Sequence, residues 1–261
     1  MPYCLLFPGQ GTQFPGMSAG LDLSCLDERL KGLMHAGPEE ELNRTVNAQP
    51  AVLAVSLALW DTSGLKEPDL VMGHSLGEYT ALSAAGAITT EAALELVTHR
   101  GRYMQAAPPG AMAAVMGLER QAIEEVLNRV GDVWIANLNA PGQIVISGKA
   151  QAVAEASIRL KDLGAKAIPL KVRVASHCPL MHQAAQDLSE YLAGVRLSRP
   201  ARRIVFNASA RTEDDPERIR KLLADQLVSP VRWVESIEHA IGLGIDHFIE
   251  IGPKSVLAAM V

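Results

Sequence analysis

The chain has 261 residues, 48% hydrophobic and 20% charged, a composition that supports a sizeable globular core in one large domain or one domain with a smaller insert. A formal net charge of -5 excludes a general nucleic-acid binder. The longest clearly apolar run, Ala51 to Trp60, is too short to cross a bilayer and suits a core helix.

In chain order, Tyr3 to Phe7 reads as a first strand that ends in the loop Pro8-Gly9-Gln10-Gly11. No basic segment precedes its short apolar run, so it does not read as a signal peptide. Cys4, Cys25 and Cys178 cannot all pair within the chain, which predicts free thiols and a cytoplasmic location. Pro50 to Trp60 is predicted as a helix, apolar all round and therefore buried. Leu70 to Met72 is a strand, with a helix from about Leu76. Glu91 to Met104 is another helix, with Leu94, Val97 and Tyr103 on its inner side.

From residue 111 the pattern changes. "AMAAVMGL" reads as a strand, "RQAIEEVLNRV" as an amphipathic helix and "DVWIANLNA" as a strand. Pro141-Gly142 turns the chain into the strand "QIVISG". A helix, "AQAVAEASIRLKDLG", and a strand, "AKAIPLKVRV", complete the series. The order β-α-β-β-α-β is ferredoxin-like and predicts a subdomain over residues 111–174, inserted into an α/β domain made of 1–110 and 175–261. "RIVFNAS" and "DHFIEIG" are expected as buried strands of that larger domain.

Between the strand at 70–72 and the helix after it stands Gly73-His74-Ser75-Leu76-Gly77. Gly-x-Ser-x-Gly in that context is a nucleophile elbow. The turn is so tight that the residues two before and two after the serine must lack bulky side chains. The serine hydroxyl then stands clear, and the next N–H faces the same space. Adjacent residues at such a turn point in different directions, so His74 is a poor base for Ser75. Among the seven histidines, His177 stands out because it follows the last predicted strand of the insert, in "VASHCPLM". Spacing alone leaves it a candidate beside an idle loop histidine.

Three stretches, "FPGQGTQFPGM" (7–17), "GHSLGEYTAL" (73–82) and "VASHCPLM" (174–181), resemble the malonyl-CoA:acyl carrier protein transacylases and related polyketide-synthase acyltransferases. "HRGRYMQ", "NAPGQIVISG", "QLVSPVRW" and "IEIGPKSVL" follow in the family's order. The resemblance implies an α/β-hydrolase-like large domain with an inserted ferredoxin-like βαββαβ subdomain. It implies a malonyl group carried from malonyl-CoA through a Ser75 acyl-enzyme to the phosphopantetheine thiol of an acyl carrier protein, with no metal and no bound cofactor. By position in the matched motifs, Ser75 is the nucleophile and His177 the base, oriented by a backbone carbonyl at Gln226. The oxyanion donors are the N–H of Leu76 and, by resemblance, of Gln10. Arg100 matches the arginine that holds the malonyl carboxylate, a grip of two parallel hydrogen bonds. Arg102 reads as a surface residue. Asn139 lies where relatives approach the pantetheine arm, and a turn asparagine fits equally well.

By resemblance, Leu76 after the serine suits relatives that prefer malonyl, while "VASH" lies between the patterns associated with malonyl and with bulkier malonyls, so methylmalonyl stays an alternative. A thioesterase or other serine hydrolase is the rival. It would place an acid and a late histidine, His239 or His247, after the serine. Relative to the family, the stretch from Met17 to Pro38 is short, and the chain ends soon after "GPKSVLAAM". Residues 196–221 carry eight Arg and Lys against four Asp and Glu. A basic segment on an acidic protein is expected to steer an acidic carrier, and part of 196–221 is expected to dock it.

Overall fold

The computed structural model describes residues 1–261. Five strands form the larger sheet: β1 (Tyr3–Phe7), β2 (Leu70–Gly73), β7 (Arg203–Phe206), β8 (Arg211–Thr212) and β9 (His247–Glu250), in the order β8-β7-β2-β1-β9. All pairs are parallel except β7 with β8. Helices α1 (Glu28–Ala36), α2 (Glu39–Leu42), α3 (Thr45–Thr62), α4 (Gly77–Ala84) and α5 (Thr90–Ala106) come from the first half of the chain. Helices α8 (His182–Gly194), α9 (Pro216–Asp225) and α10 (Trp233–Gly242) come from the second.

Along β1 successive side chains alternate faces. Leu5 and Phe7 join the main core with α3, α4, α5 and α8, whereas Cys4 and Leu6 pack with Trp233, Ile237 and Ala240 of α10. Both faces of the central strands are therefore covered, as parallel sheets require.

The smaller sheet holds β3 (Ala111–Met116), β4 (Val133–Ala140), β5 (Gln143–Gly148) and β6 (Lys166–Pro169) in the order β4-β5-β3-β6, all antiparallel. Helices α6 (Arg120–Val130) and α7 (Ala150–Asp162) share a separate core with it. This is the ferredoxin-like arrangement. The two parts of the molecule meet where Leu138 N donates to Val231 O (2.9 Å) and Val231 N donates to Ala136 O (2.8 Å).

Several elements differ from the sequence reading. α3 starts at Thr45, so Pro50 lies inside it. The buried polar side chain of Asn47 ties its first turn down, donating to Glu41 O and accepting from Arg29. β6 stops at Pro169, where the chain makes a three-residue turn closed by Val172 N to Leu170 O. On α5, Met104 takes the buried position and Tyr103 is half-buried. β9 is an edge strand with His247 exposed, because nothing pairs along its outer side. No helix is long and apolar enough to cross a membrane, and the three cysteines are unpaired.

Candidate active site

The elbow follows β2 at the carboxyl end of the parallel sheet. Built on these positions, a Cβ at Gly73 would lie 1.9 Å from the main chain of Gly77, and one at Gly77 would lie 2.0 Å from Phe7 O. Neither contact is possible for a side chain, so both glycines are required for α4 to begin hard against the ends of β1 and β2. Ser75 takes φ 54°, the strained left-handed conformation of such a turn. A Cβ at Gly9 would lie 2.6 Å from His74 O, which brings the Pro8–Gly11 loop against the same turn.

His177, also left-handed at φ 60°, places Nε2 2.8 Å from Ser75 Oγ. Its Nδ1 lies 2.9 Å from Gln226 O. A carbonyl can only accept, so Nδ1 carries the proton and Nε2 presents its lone pair to the serine hydroxyl. No carboxylate bonds the imidazole. Burial, and then the charge of Arg100, push its pKa down to about 3, so the ring is neutral near pH 7.

Arg100 projects from α5 into the same space and is only 1% exposed. Its Nη1 donates to Gln49 Oε1 (2.8 Å), and its Nη2 donates to Gln226 Oε1 (2.9 Å) and approaches Ser75 Oγ at 3.4 Å. The guanidinium lies over the Tyr79 ring, 5.1 Å from its centroid. Every hydrogen-bond partner is neutral. A buried cation without a bonded anion is costly and marks a receptor for one. Arg102, two residues on, is exposed.

The N–H groups of Gln10 and Leu76 donate to no protein acceptor. The loop carrying Gln10 is braced by Gly11 N to Gln13 Oε1 (2.8 Å), Thr12 Oγ1 to Gly9 O (2.9 Å) and Gln10 Nε2 to Thr45 Oγ1 (3.2 Å). His74 points away from Ser75 and bonds Asn139 Oδ1 at 2.8 Å, leaving the Asn139 amide nitrogen without a protein partner. A cleft of about 340 Å³ between the two sheets' units reaches His177; Arg120, Leu127, Trp134, Leu138 and Val228 help to line it.

The structure thus brings Ser75, His177, Arg100 and Gln226 into direct contact. The late histidines lie elsewhere. His247, at the start of the exposed edge strand, bonds Asp246, and His239 lies in the last turn of α10, where burial and then the charges of Arg211 and Arg203 lower its pKa. Sequence reasoning missed Gln49, Glu78, Asn207 and the side chain of Gln226, whose Nε2 also donates to Ser75 O at 3.0 Å. Glu78 is fully buried, and desolvation raises its pKa to about 8. A polar residue set into an apolar stretch, such as Gln49 before Pro50 to Leu57 or Asn207 after "RIVF", is the signal that could have found them.

Residues 24–261 match the family model described as an acyl transferase domain. The malonyl CoA-acyl carrier protein transacylase of Escherichia coli (strain K12) is 40% identical, with 99% of this chain and 91% of the relative covered. That of Bacillus subtilis (strain 168) is 42% identical, with 98% and 88% covered. Among solved structures, the Coxiella burnetii transacylase superposes with a TM-score of 0.95 at 39% identity, covering 100% of this chain and 90% of the other. A malonyl-transacylase solved in complex with its type II polyketide-synthase acyl-carrier protein gives 0.94 at 40% identity, covering 100% and 92%. The chain therefore belongs to the acyl transferase family, and within it to the malonyl-CoA:acyl carrier protein transacylases.

Proposed function

We propose that the protein moves malonyl from malonyl-CoA to the phosphopantetheine thiol of an acyl carrier protein through an ester on Ser75. Ser75 Oγ attacks the thioester carbon while His177 Nε2 takes its proton. The N–H groups of Leu76 and Gln10 receive the oxyanion, at the amino end of α4 where the helix dipole also favours negative charge. Collapse breaks the C–S bond, and the imidazolium returns the proton to the departing coenzyme A thiolate. The carrier's thiol then repeats both steps in reverse, giving up its proton to His177 and releasing Ser75. Gln226 O holds the imidazole in the useful tautomer, so no triad carboxylate is needed.

The observation that carries this reading is the buried guanidinium of Arg100, hydrogen-bonded only to neutral groups and 3.4 Å from the nucleophile. It suits an acyl group bearing its own carboxylate. The pantetheine arm of either thiol would lie in the cleft beside Trp134 and Leu138, with the Asn139 amide nitrogen within its course. Methylmalonyl adds one methyl and keeps the carboxylate, so Arg100 does not separate the two acyl groups. We also read 1–110 with 175–261 as the catalytic unit and 111–174 as its insert, supported by the separate sheets and cores.

Intact mass after incubation with malonyl-CoA tests the nucleophile. A malonyl adduct is expected on the wild-type chain and none on Ser75→Ala; an adduct that persists in Ser75→Ala would overturn the assignment.

Carrier steering is the second part of the proposal. Within 196–221, Arg199, Arg202, Arg218 and Arg220 form ion pairs with Asp214, Glu67, Glu213 and Glu217, while the exposed Arg196, Arg203, Arg211 and Lys221 form none. Arg203 pairs with Leu70 at the start of β2, roughly 10 Å down the strand from the elbow at 3.3 Å per residue. From that position Arg203 would act at long range and not as a contact at the elbow. Reversing Arg203 and Arg211 together is expected to raise the carrier's KM at low ionic strength and leave that for malonyl-CoA alone; an unchanged carrier KM rejects the steering.

A further inference from the structure

We propose that Asn207 is a positioning residue for Ser75, holding the elbow's main chain with its carboxamide and held in turn by Glu78. The inference deepens the proposed function and rests on Ser75 being the nucleophile.

The ladder between β2 and β7 ends at Met72 opposite Val205. Beyond it the chain turns away into the elbow, and two main-chain groups lose the neighbour a longer strand would supply. The Asn207 side chain takes that place. Its Nδ2 donates to Gly73 O at 2.7 Å, and its Oδ1 accepts from Ser75 N at 2.7 Å. These two partners, one acceptor and one donor, fix which way the amide faces.

The rest of Asn207 is equally committed. Its N–H donates to Glu78 Oε2 at 2.6 Å, and its carbonyl accepts from Arg232 N at 3.2 Å. It is 1% exposed. Glu78, in the first turn of α4 and fully buried, closes a ring through β2, the elbow, α4 and the end of β7. The ring has a chemical consequence. Ser75 must stay at φ 54° for Oγ to meet His177, and its own N–H is engaged by Asn207, which leaves Leu76 N–H as the free donor of the turn. An aspartate at 207 would keep an acceptor for Ser75 N–H but would face the Gly73 carbonyl with a second oxygen.

Asn207→Ala, Asn207→Asp, Glu78→Ala and Glu78→Gln would be compared with the wild-type chain by melting temperature and by kcat and KM for malonyl-CoA. The rate at which phenylmethylsulfonyl fluoride modifies Ser75, followed by intact mass, is the third readout. That reagent reports the nucleophile without using the Arg100 carboxylate contact. At a temperature where they are folded, both Asn207 variants are expected to lose about 10- to 100-fold in kcat and in labelling rate, with KM within about twofold. Glu78→Ala should share part of that loss. Glu78→Gln, which keeps an oxygen for Asn207 N–H, should recover it. Wild-type labelling and kcat per folded molecule, with only a lower melting temperature, would make the ring structural and overturn the proposal. If the Asn207 variants do not fold, the Glu78 pair decides, and equal rates in both overturn it. Slow labelling of the variants beside a wild-type chain that never takes malonyl would uphold the positioning role and sink the proposed function alone.

Discussion

Ser75 and His177 sit at φ 54° and 60°, in a region where a non-glycine residue is held at a cost of about 1–3 kcal/mol by its surroundings. The surroundings are visible in both cases. Ser75 has its N–H on Asn207 and its carbonyl on Gln226 Nε2, and His177 has its Nδ1 on Gln226 O. Burial and the Arg100 charge keep His177 neutral, with a pKa of about 3. The base must be unprotonated to act, so the acid limb of kcat/KM for acylation should lie well below the ordinary histidine range of about 6.5. Less than about a twofold change in kcat/KM is expected between about pH 7.5 and about pH 5.5. A half-maximal point near the ordinary histidine value of about 6.5 would mean that His177 titrates as a solvated imidazole in the free enzyme.

The strand–turn–helix unit of β2, the elbow and α4 depends on absent side chains. A Cβ at Gly77 meets the Phe7 carbonyl at 2.0 Å, a main-chain atom that can move only if β1 moves. Gly77→Ala is expected to cost about 3 kcal/mol or more through overpacking. That is a fall of roughly 6–12 °C in Tm for a chain of this size, with loss of acylation. Unchanged melting and activity would show that the turn can open. Because the turn imposes these requirements on five consecutive residues, the elbow is legible in the sequence itself. The insert is legible for a similar reason, since α6 and α7 carry apolar faces of helical period between short strands. Element ends are harder. Pro50 suggests a helix start, yet Asn47 and its partners carry α3 back to Thr45. The strand expected to run to Val174 breaks at Pro169. Glu78 and Asn207 are out of reach because their partners are tertiary: Ser75 N and Asn207 Oδ1 are 132 positions apart, and Asn207 N and Glu78 are 129 apart. Arg100 is singled out by resemblance, but its neutral cage of Gln49 and Gln226 is not.

At the scale of the molecule, the two sheets meet through β4 and Val231, and the cleft along that seam leads to His177. One nucleophile can therefore serve two thiols in turn, since coenzyme A and the carrier present the same kind of arm and the acyl group waits on Ser75 between them. Transfer in preference to hydrolysis is the property that separates an acyl transferase from the hydrolases that use a Gly-x-Ser-x-Gly turn. Arg100 supplies much of that preference in the proposed mechanism, by holding the malonyl carboxylate so that the ester faces the cleft. The most direct test isolates the malonyl-enzyme and follows its mass with and without a phosphopantetheinylated carrier protein. Slow loss to water is expected without the carrier. Rapid loss is expected with it, with malonyl mass appearing on the carrier and a smaller difference between the two rates in Arg100→Ala. Loss at one rate whether or not the carrier is present would contradict the transfer mechanism and make the protein a hydrolase.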